Sequence, residues 1–477
     1  MDYGITSMKQ TDPTLSTDSN VTIFGAGPAG LACGWAMEEA GNKNYSIFEK
    51  SSVHGGNART IESGEFLYDT GPHRFHARDV EATRRISELM GTNLHSVEAP
   101  ARIWWQGRFV DFPLRPLQIL KNGGLPYTIR AAKDLALSRF RSNKDESPED
   151  FAEYAQSRFG DTIAKTFLIP FSERLWGLPA SELSPDIAGR RLPGFSIPGL
   201  IKEALLRSQK SDHLEGRFLY PKLGYGEISD RMANQISHDK LHYNHRIEGI
   251  GTEDNRISTV SVNTGMGSHE ITPAAVINTL PITSIVNMMN PKPPEEVLTA
   301  AAQLKFRDVV LVAIFLDQPS ISDAAVTYFQ GPQYEFSRAH EPRNRSLDMS
   351  PQGKTSLVVE FPCFNGDDIW NRDSDTLATG LIRQLDQMGL IDASLVSRYD
   401  THRLENAYPV YFKGYETISE IVLSYLRRFE NFWTLGRGGS YFYGHLHDFV
   451  SDGFEIANSV INANIGKTKP VHEPTSL

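Results

Sequence analysis

The hydrophobic pattern along the chain changes period several times, and each change predicts an element. A short apolar run, Val21 to Phe24, meets glycines at 25, 27 and 30. A stretch with helical spacing follows, then a second apolar run that ends at Glu49. This order predicts strand, tight turn, helix, strand. Alternating positions at 241–250 and 256–263 predict two further strands. The run Ala274 to Leu280, closed by Pro281, predicts a buried strand stopped by proline. Between these pieces the pattern turns helical. Residues 128–140 carry apolar positions at helical spacing beside Arg130, Lys133, Arg139 and Arg141. The apolar stripe is narrow and Asp134 interrupts it, so a surface helix is expected rather than a membrane-bound one. Residues 142–150 read as a polar linker, with Ser147 as N-cap of a new helix. Runs at 308–316, 326–329 and 355–361 predict a set of strands, and an apolar-faced helix is expected from about Gly453.

Composition adds bounds to this picture. At 477 residues the chain is too long for one compact core, so two domains are expected. Hydrophobic content of 40% and charged content of 22% suit a globular protein. The net charge is −10 and no basic block suggests a nucleic-acid partner. Residues 1–17 are polar, lack the regions of a signal peptide and read as a disordered tail; 469–477 reads as a second tail. The longest apolar run, Val309 to Leu316, is too short to span a bilayer. Two cysteines, Cys33 and Cys363, give no disulfide framework, and a reducing cytoplasmic setting is expected. Two histidine groupings, His445 with His447 and His238 with His242 and His245, come without a convincing full set of ligands in sequence, so no metal is expected.

The chemistry begins at the first turn. Glycines 25, 27 and 30 between a strand and a helix bring backbone N–H groups against a pyrophosphate at the helix N-terminus. Glu49 stands 19 residues after Gly30, where an acidic side chain binds ribose hydroxyls. The expectation is a dinucleotide site. FAD and NAD share the ADP half, so this motif leaves both open. A second glycine turn, Gly55-Gly56, precedes Asn57 and Arg59 and suits a long, extended cofactor whose phosphates an arginine can offset. Near the C-terminus, Gly436-Arg437-Gly438-Gly439 again leads a glycine loop into a helix.

Taken together, these segments resemble the FAD-dependent amine oxidase superfamily, which includes protoporphyrinogen oxidases, phytoene-desaturase-like enzymes and UDP-galactopyranose mutases. The resemblance rests on the doublet after the acidic residue, the segment Tyr220 to Glu227 and the closing Gly436-Arg437 motif, and runs from about Val21 to Ile461. Gly55-Gly56-Asn57, Gly71 to His76, Phe171 to Gly177 and Ala407 to Tyr411 look most like the mutases. The resemblance implies non-covalent FAD, since no cysteine follows Cys363. It implies an α/β fold: a discontinuous Rossmann-type FAD-binding domain (18–100, 214–292 and 425–468) and a mixed α+β substrate domain (101–213 and 293–424). The first half of the substrate domain is expected to be helical and the second half a sheet.

The site residues follow in part from the resemblance. His73, after Gly71-Pro72, is expected beside the flavin ring, to hydrogen-bond it or move a proton. Gly56, Asn57, Arg59 and Gly71 are expected around the cofactor, with Ile247 offering its backbone to the adenine. Gly436 and Arg437 are expected at the pyrophosphate or ribityl chain. Relatives place aspartate eleven positions after the glycine of that motif; this chain has His447 there and Asp448 next. Mutases also use a Tyr-Tyr pair nearby, where this chain has Tyr443-Gly444. Arg307 resembles a diphosphate-binding arginine, and Arg191 falls near a second one, although Gly194-Phe195 breaks the match. Trp176, Tyr408 and Tyr411 are substrate candidates, each against a plain core role.

Two functions stay open. One is an FAD-dependent oxidoreductase taking hydride from a C–N, C–O or C–C bond of a polar biosynthetic intermediate, such as a sugar nucleotide. The other is a non-redox mutase acting through reduced flavin N5. The altered positions at 444 and 447 weigh against the second; the GGN, GPHRFH and YPV segments weigh for it.

Overall fold

Hydrophobic strands of the computed structural model fall into two contact units, each threaded by separate stretches of chain. Residues 20–112, 114, 116–141, 147–191 and 217–464 are described, without the side chains of 116, 139–141, 189–191 and 464. Both expected tails, Gly194-Phe195 and most of the linker after residue 141 lie outside the described residues. Of the described residues, the first unit takes those within 20–56, 229–303 and 418–464, and the second those within 57–228 and 304–417. By contacts, therefore, the stretch 57–100 groups with the second unit.

In the first unit, strand Val21–Phe24 lies at the centre of a five-stranded parallel sheet. Its neighbours are Tyr45–Glu49 on one side and Ala275–Asn278 on the other, with Leu241–Tyr243 and Phe432–Thr434 at the edges. Central strands are covered on both faces, which is why they read as unbroken apolar runs. Helix Pro28–Glu39 follows the first strand, with Gly27 as N-cap and Pro28 as its first residue. The last helix, Leu446–Asn464, packs along it. A Cβ at Gly453 would sit 2.6 Å from that of Ala32, so only glycine permits the close crossing. This helix begins seven residues before the expected Gly453, because Asp448 returns to accept the His445 N–H at 2.7 Å and caps it. The expected single strand at 241–250 is two. Asn244 has a positive φ of 59° and breaks the run. Leu241–Tyr243 joins the parallel sheet, and Arg246–Glu253 starts an antiparallel sheet with Arg256–Asn263.

The second unit is built on a seven-stranded sheet, in which the expected strands appear as Phe306–Leu316, Val326–Phe329 and Thr355–Cys363. Short strand Arg338–His340 and long strand Val396–Pro409 complete its main part. The far edge is a hairpin, Ala101–Trp105 and Arg108–Phe112, in a region expected to be helical. The helix there starts later, at Pro116, runs to Arg141, and is broken at Gly124 (φ 75°). Asp134, read as interrupting the apolar stripe, accepts the Thr162 N–H at 3.1 Å. The next helix, Phe151–Phe159, is capped by Asp150 rather than by Ser147: its carboxylate accepts from Glu153 N at 2.9 Å.

The two faces of this sheet differ in character. One face carries Val310, Val312, Ile314, Val359 and Phe361, packed on Leu377, Leu381 and Leu385 of helix Ser374–Gln387. The other follows the register His402, Leu311, Glu360, Arg338, Tyr328, Ile103. That polar row is where the hairpin Thr60–Ser63 with Phe66–Asp69 and the turn after it meet the sheet. Among the described residues no helix is long and apolar enough to cross a membrane.

Candidate functional site

Three glycine loops from distant parts of the sequence converge on the start of helix Pro28–Glu39. Gly25 has a φ of 89°, and a Cβ on Gly30 would stand 2.0 Å from the Gly25 carbonyl oxygen. Both positions therefore exclude any side chain. Gly56 lies so close to Gly27 that a Cβ on it would approach the Gly27 Cα to 3.2 Å, and Gly55 N donates to Ala26 O at 2.8 Å. The third loop brings Gly436 against Ala29, at 3.0 Å by the same measure. Gly27 offers no side chain to the first-turn N–H groups of the helix. This cradle fits a pyrophosphate: backbone donors, a helix N-terminus and room that any Cβ would fill.

Glu49 closes one side of the cradle. Its Oε2 accepts from Ala26 N at 2.9 Å, and its Oε1 from Ser51 N at 2.8 Å and Ser51 Oγ at 2.7 Å. The same carboxylate thus ties the first glycine turn to the end of the second strand, the position from which an acid reaches ribose hydroxyls. His245 N donates to the Glu49 carbonyl at 2.8 Å, and Ile247 follows two residues later in the antiparallel sheet. Arg437 donates to the Gly444 carbonyl at 3.1 Å and lies 5.1 Å from the centroid of the Tyr443 ring. His447 is buried beside Asp448, at 3.3 Å, while Asp448 caps the last helix.

The second unit holds the other group of expected residues: Asn57, Arg59, Gly71, His73, Trp176, Arg307, Tyr408 and Tyr411. His73 sits in a turn whose N–H bonds back to the Gly71 carbonyl at 2.8 Å. Its Nε2 is 3.0 Å from the Asn57 carbonyl oxygen. A carbonyl only accepts, so Nε2 carries the proton. The ring stacks on Tyr225, centroids 4.9 Å apart, and the His73 carbonyl accepts from Arg345 Nη1 at 2.7 Å. Gly71 leaves the space between the His73 ring and Glu360: a Cβ there would stand 3.3 Å from Nε2 and 3.5 Å from Glu360 Oε1. Asn57 Nδ2 donates to the Glu405 carbonyl at 3.1 Å. Arg59 donates to His402 Nε2 at 3.0 Å, and burial together with this guanidinium lowers the His402 pKa.

Beneath this turn the polar sheet row forms a connected lattice. Arg338 Nε donates to Glu360 at 2.6 Å and Arg338 Nη2 to the Tyr408 hydroxyl at 2.7 Å. Asp69 accepts from Thr60 at 2.7 Å, from Tyr225 N at 2.9 Å and from the Tyr220 hydroxyl; burial raises its pKa and these bonds oppose the rise. Burial, with the Arg345 and Arg338 charges, brings Arg74 down to about 10. Arg74, Arg338, Arg345, Glu360 and Tyr225 were not among the expected site residues. Arg74 and Tyr225 carried a local signal, Arg74 as the charged position inside Gly71 to His76 and Tyr225 inside the segment Tyr220 to Glu227.

Other expected positions are placed in packing. Trp176, 2% exposed, stacks on Tyr411 at 6.1 Å, and Tyr411 stacks on Tyr415 at 4.0 Å. Arg307 spends Nε on the Leu175 carbonyl at 3.1 Å and Nη2 on those of Arg174 and Pro362 at 3.2 and 3.0 Å. Its guanidinium lies over Phe364, 4.3 Å from the centroid. It therefore clamps the end of helix Ile169–Trp176 to the strand Thr355–Cys363, where a phosphate ligand was expected. Arg191 is the last residue of helix Asp186–Arg191, and its side chain lies outside the described residues.

Known proteins share sequence and fold with this chain. The chain is 21% identical over 402 residues to protoporphyrinogen oxidase 1, chloroplastic, of Spinacia oleracea, covering 76% of this chain and 70% of that protein. Its fold is similar to that of a reduced UDP-galactopyranose mutase, with a TM-score of 0.80 at 20% identity over 94% of this chain and 96% of the other. It is also similar to that of cyclohexylamine oxidase from Brevibacterium oxydans IH-35A, with a TM-score of 0.67 at 14% identity over 94% and 100% of the two chains. Residues 28–444 match the sequence model of the flavin containing amine oxidoreductases, and the chain belongs to that family of flavin enzymes.

Proposed function

We propose that this chain is an FAD-dependent oxidoreductase that removes hydride from a C–N, C–O or C–C bond of a polar biosynthetic intermediate. FAD is held without a covalent bond by Gly25, Gly27, Gly30 and Glu49, with Gly56, Gly436 and Arg437 around the phosphates. When bound, FAD supplies a two-electron acceptor, and the protein needs only to orient the substrate and manage protons. His73 is the group for the second task. Its ring is fixed by the Asn57 carbonyl and Tyr225, so a proton moved there meets a defined nitrogen and little reorganisation.

The observation that carries the redox reading over the mutase reading is the state of the two mutase-like anchors. Arg307 commits two of its nitrogens to backbone carbonyls. Tyr443, left without a second tyrosine at 444, lies against Arg437. A sugar-nucleotide mutase acting through reduced flavin remains the second reading, supported by the Gly71 to His76 segment and the 0.80 TM-score to the mutase fold.

An anaerobic absorbance titration of the purified protein with amines and sugar nucleotides tests both. Bleaching of the oxidised flavin band by one of them supports the oxidoreductase. Product formed only after dithionite reduction, without stoichiometric bleaching, would replace it with the mutase. A protein that neither carries nor takes up FAD would sink both.

A further inference from the structure

Arg74 is a half-buried cation of the second unit that, among the described residues, has no ion-pair or hydrogen-bond partner for its buried Nη2. Its flanks are pinned. The preceding carbonyl, of His73, accepts from Arg345, and Phe75 exchanges two backbone hydrogen bonds with Leu219, at 3.2 and 3.1 Å. The guanidinium between them lies over the Phe218 ring, 4.9 Å from its centroid. Nη2 is buried and makes no hydrogen bond, and among the described residues no carboxylate pairs with Arg74.

The surroundings deepen the imbalance. Arg345 shares the same Phe218 ring at 6.0 Å, and its Nε is also buried without a partner. Arg338 contributes a third guanidinium. Of the acids in this neighbourhood, Asp69 is engaged by Thr60, Tyr220 and Tyr225 and Glu360 through Oε2 by Arg338, whereas Glu360 Oε1 is buried without a hydrogen-bond partner. The remaining Glu360 oxygen faces Gly71. His340, 2% exposed and two residues along the strand from Arg338, has both ring nitrogens unpartnered. A buried, unpaired charge opposes folding, so an arrangement that keeps one beside unsatisfied donors is suited to a ligand of opposite charge. A guanidinium fork matches the planar or tetrahedral oxygens of a carboxylate or phosphate.

We propose that Arg74, backed by Arg345 and Arg338, receives an oxyanion group of the substrate, a carboxylate or a phosphate. This rests on the reading of the chain as a flavin enzyme with a polar substrate, and it names the recognition element of that substrate. Arg74 is a binding residue; His73, its neighbour, remains the group assigned to the chemistry.

The test is isothermal titration calorimetry on the flavin-loaded full chain. Sodium phosphate and sodium acetate are titrated separately against chloride at constant ionic strength. At least one anion should bind saturably. Arg74→Met should weaken that binding tenfold or more, and Arg74→Lys should retain part of it. Preference for phosphate identifies a phosphoester on the substrate; preference for acetate identifies a carboxylic acid. Binding of neither, or unchanged binding in Arg74→Met, overturns the proposal. Should Arg74→Met not fold, hydrogen exchange of the unsubstituted protein decides. Peptides covering 71–76 and 217–221 should exchange more slowly with the bound anion, and no slowing there overturns the assignment. Neither readout needs turnover. Flavin uptake is read separately by absorbance: a chain that takes up no flavin overturns the proposed function and this proposal with it, whereas a flavin-loaded chain that binds neither anion overturns this proposal alone.

Discussion

His73 shows how one side chain is prepared by its neighbours. The Asn57 carbonyl selects the Nε2–H tautomer, Tyr225 fixes the ring plane, and Arg345 holds its backbone. Replacement by alanine removes the proton-handling group and none of the residues proposed to hold the cofactor phosphates. His73→Ala should therefore keep its flavin and lower the rate of flavin reduction by about 10²–10⁴-fold, the usual worth of a positioned acid or base. Stopped-flow absorbance with any substrate that bleaches the unsubstituted protein measures this, and an unchanged rate would remove His73 from the mechanism. His340 presents the opposite case, a histidine kept neutral. Burial, with the charges of Arg345, Arg338 and His73, holds its pKa well below the ordinary value. In the unfolded chain it takes up a proton as pH falls through about 6.5, whereas in the folded chain it does so only at lower pH. The unfolded state then binds more protons, so stability present at neutral pH is lost on acidification. His340→Leu should shrink the loss of unfolding free energy between pH 7 and pH 5 by about 2 kcal/mol. Urea titrations at the two pH values would show it; equal losses in both proteins would mean that the ring is not held neutral.

At the scale of elements, the first strand–turn–helix–strand unit was legible because everything that specifies it is local. Gly25, Gly27, Gly30 and Glu49 lie within one stretch, and the apolar runs on either side are short and buried. Gly30 is its tightest point, with the Gly25 oxygen where a Cβ would be. Gly30→Ala has to push the helix start away from the turn. It should abolish flavin retention while Gly380→Ala, in helix Ser374–Gln387 with open space around it, retains flavin. Absorbance ratios of the two purified proteins compare them, and normal flavin content in Gly30→Ala would show that the close approach is dispensable. The large sheet was legible as strands but not as faces. Every residue of Phe306–Leu316 is buried, so its sequence carries no alternation to mark the polar side. The hairpin Ala101–Phe112 was missed because the helical pattern beyond it dominated the segment. The break after Leu241–Tyr243 was missed because Asn244, an ordinary residue by hydropathy, takes a left-handed conformation.

Across the whole molecule, what stayed hidden is what register and chain return bring together. Arg74, Arg338 and Arg345 are separated by more than 260 positions between the first and the others, and no spacing rule joins them. The third glycine loop was visible as a motif, yet its seat against Ala29 depends on the chain coming back to the first unit after residue 417. That return has a testable consequence. Neither unit is one continuous stretch, and the last segment supplies the first unit with three things. It adds the edge strand Phe432–Thr434 beside Ala275–Asn278, the loop Gly436–Gly439, and the helix Leu446–Asn464. Val450, Ile456, Ala457 and Val460 of that helix are all buried, and each large apolar side chain among them contributes about 1.5–3 kcal/mol by leaving water. Ending the chain at Thr417 therefore strips one edge of the parallel sheet, uncovers helix Pro28–Glu39 and removes one of the three loops of the cradle. The seven-stranded sheet of the second unit loses none of its strands. The expected product retains no flavin and shows early, non-cooperative unfolding of its first unit, readable by absorbance and by hydrogen exchange of peptides covering 21–49. Full flavin content in the shortened chain would mean that the first two glycine turns and Glu49 hold the cofactor by themselves, and that the returning segment serves only stability.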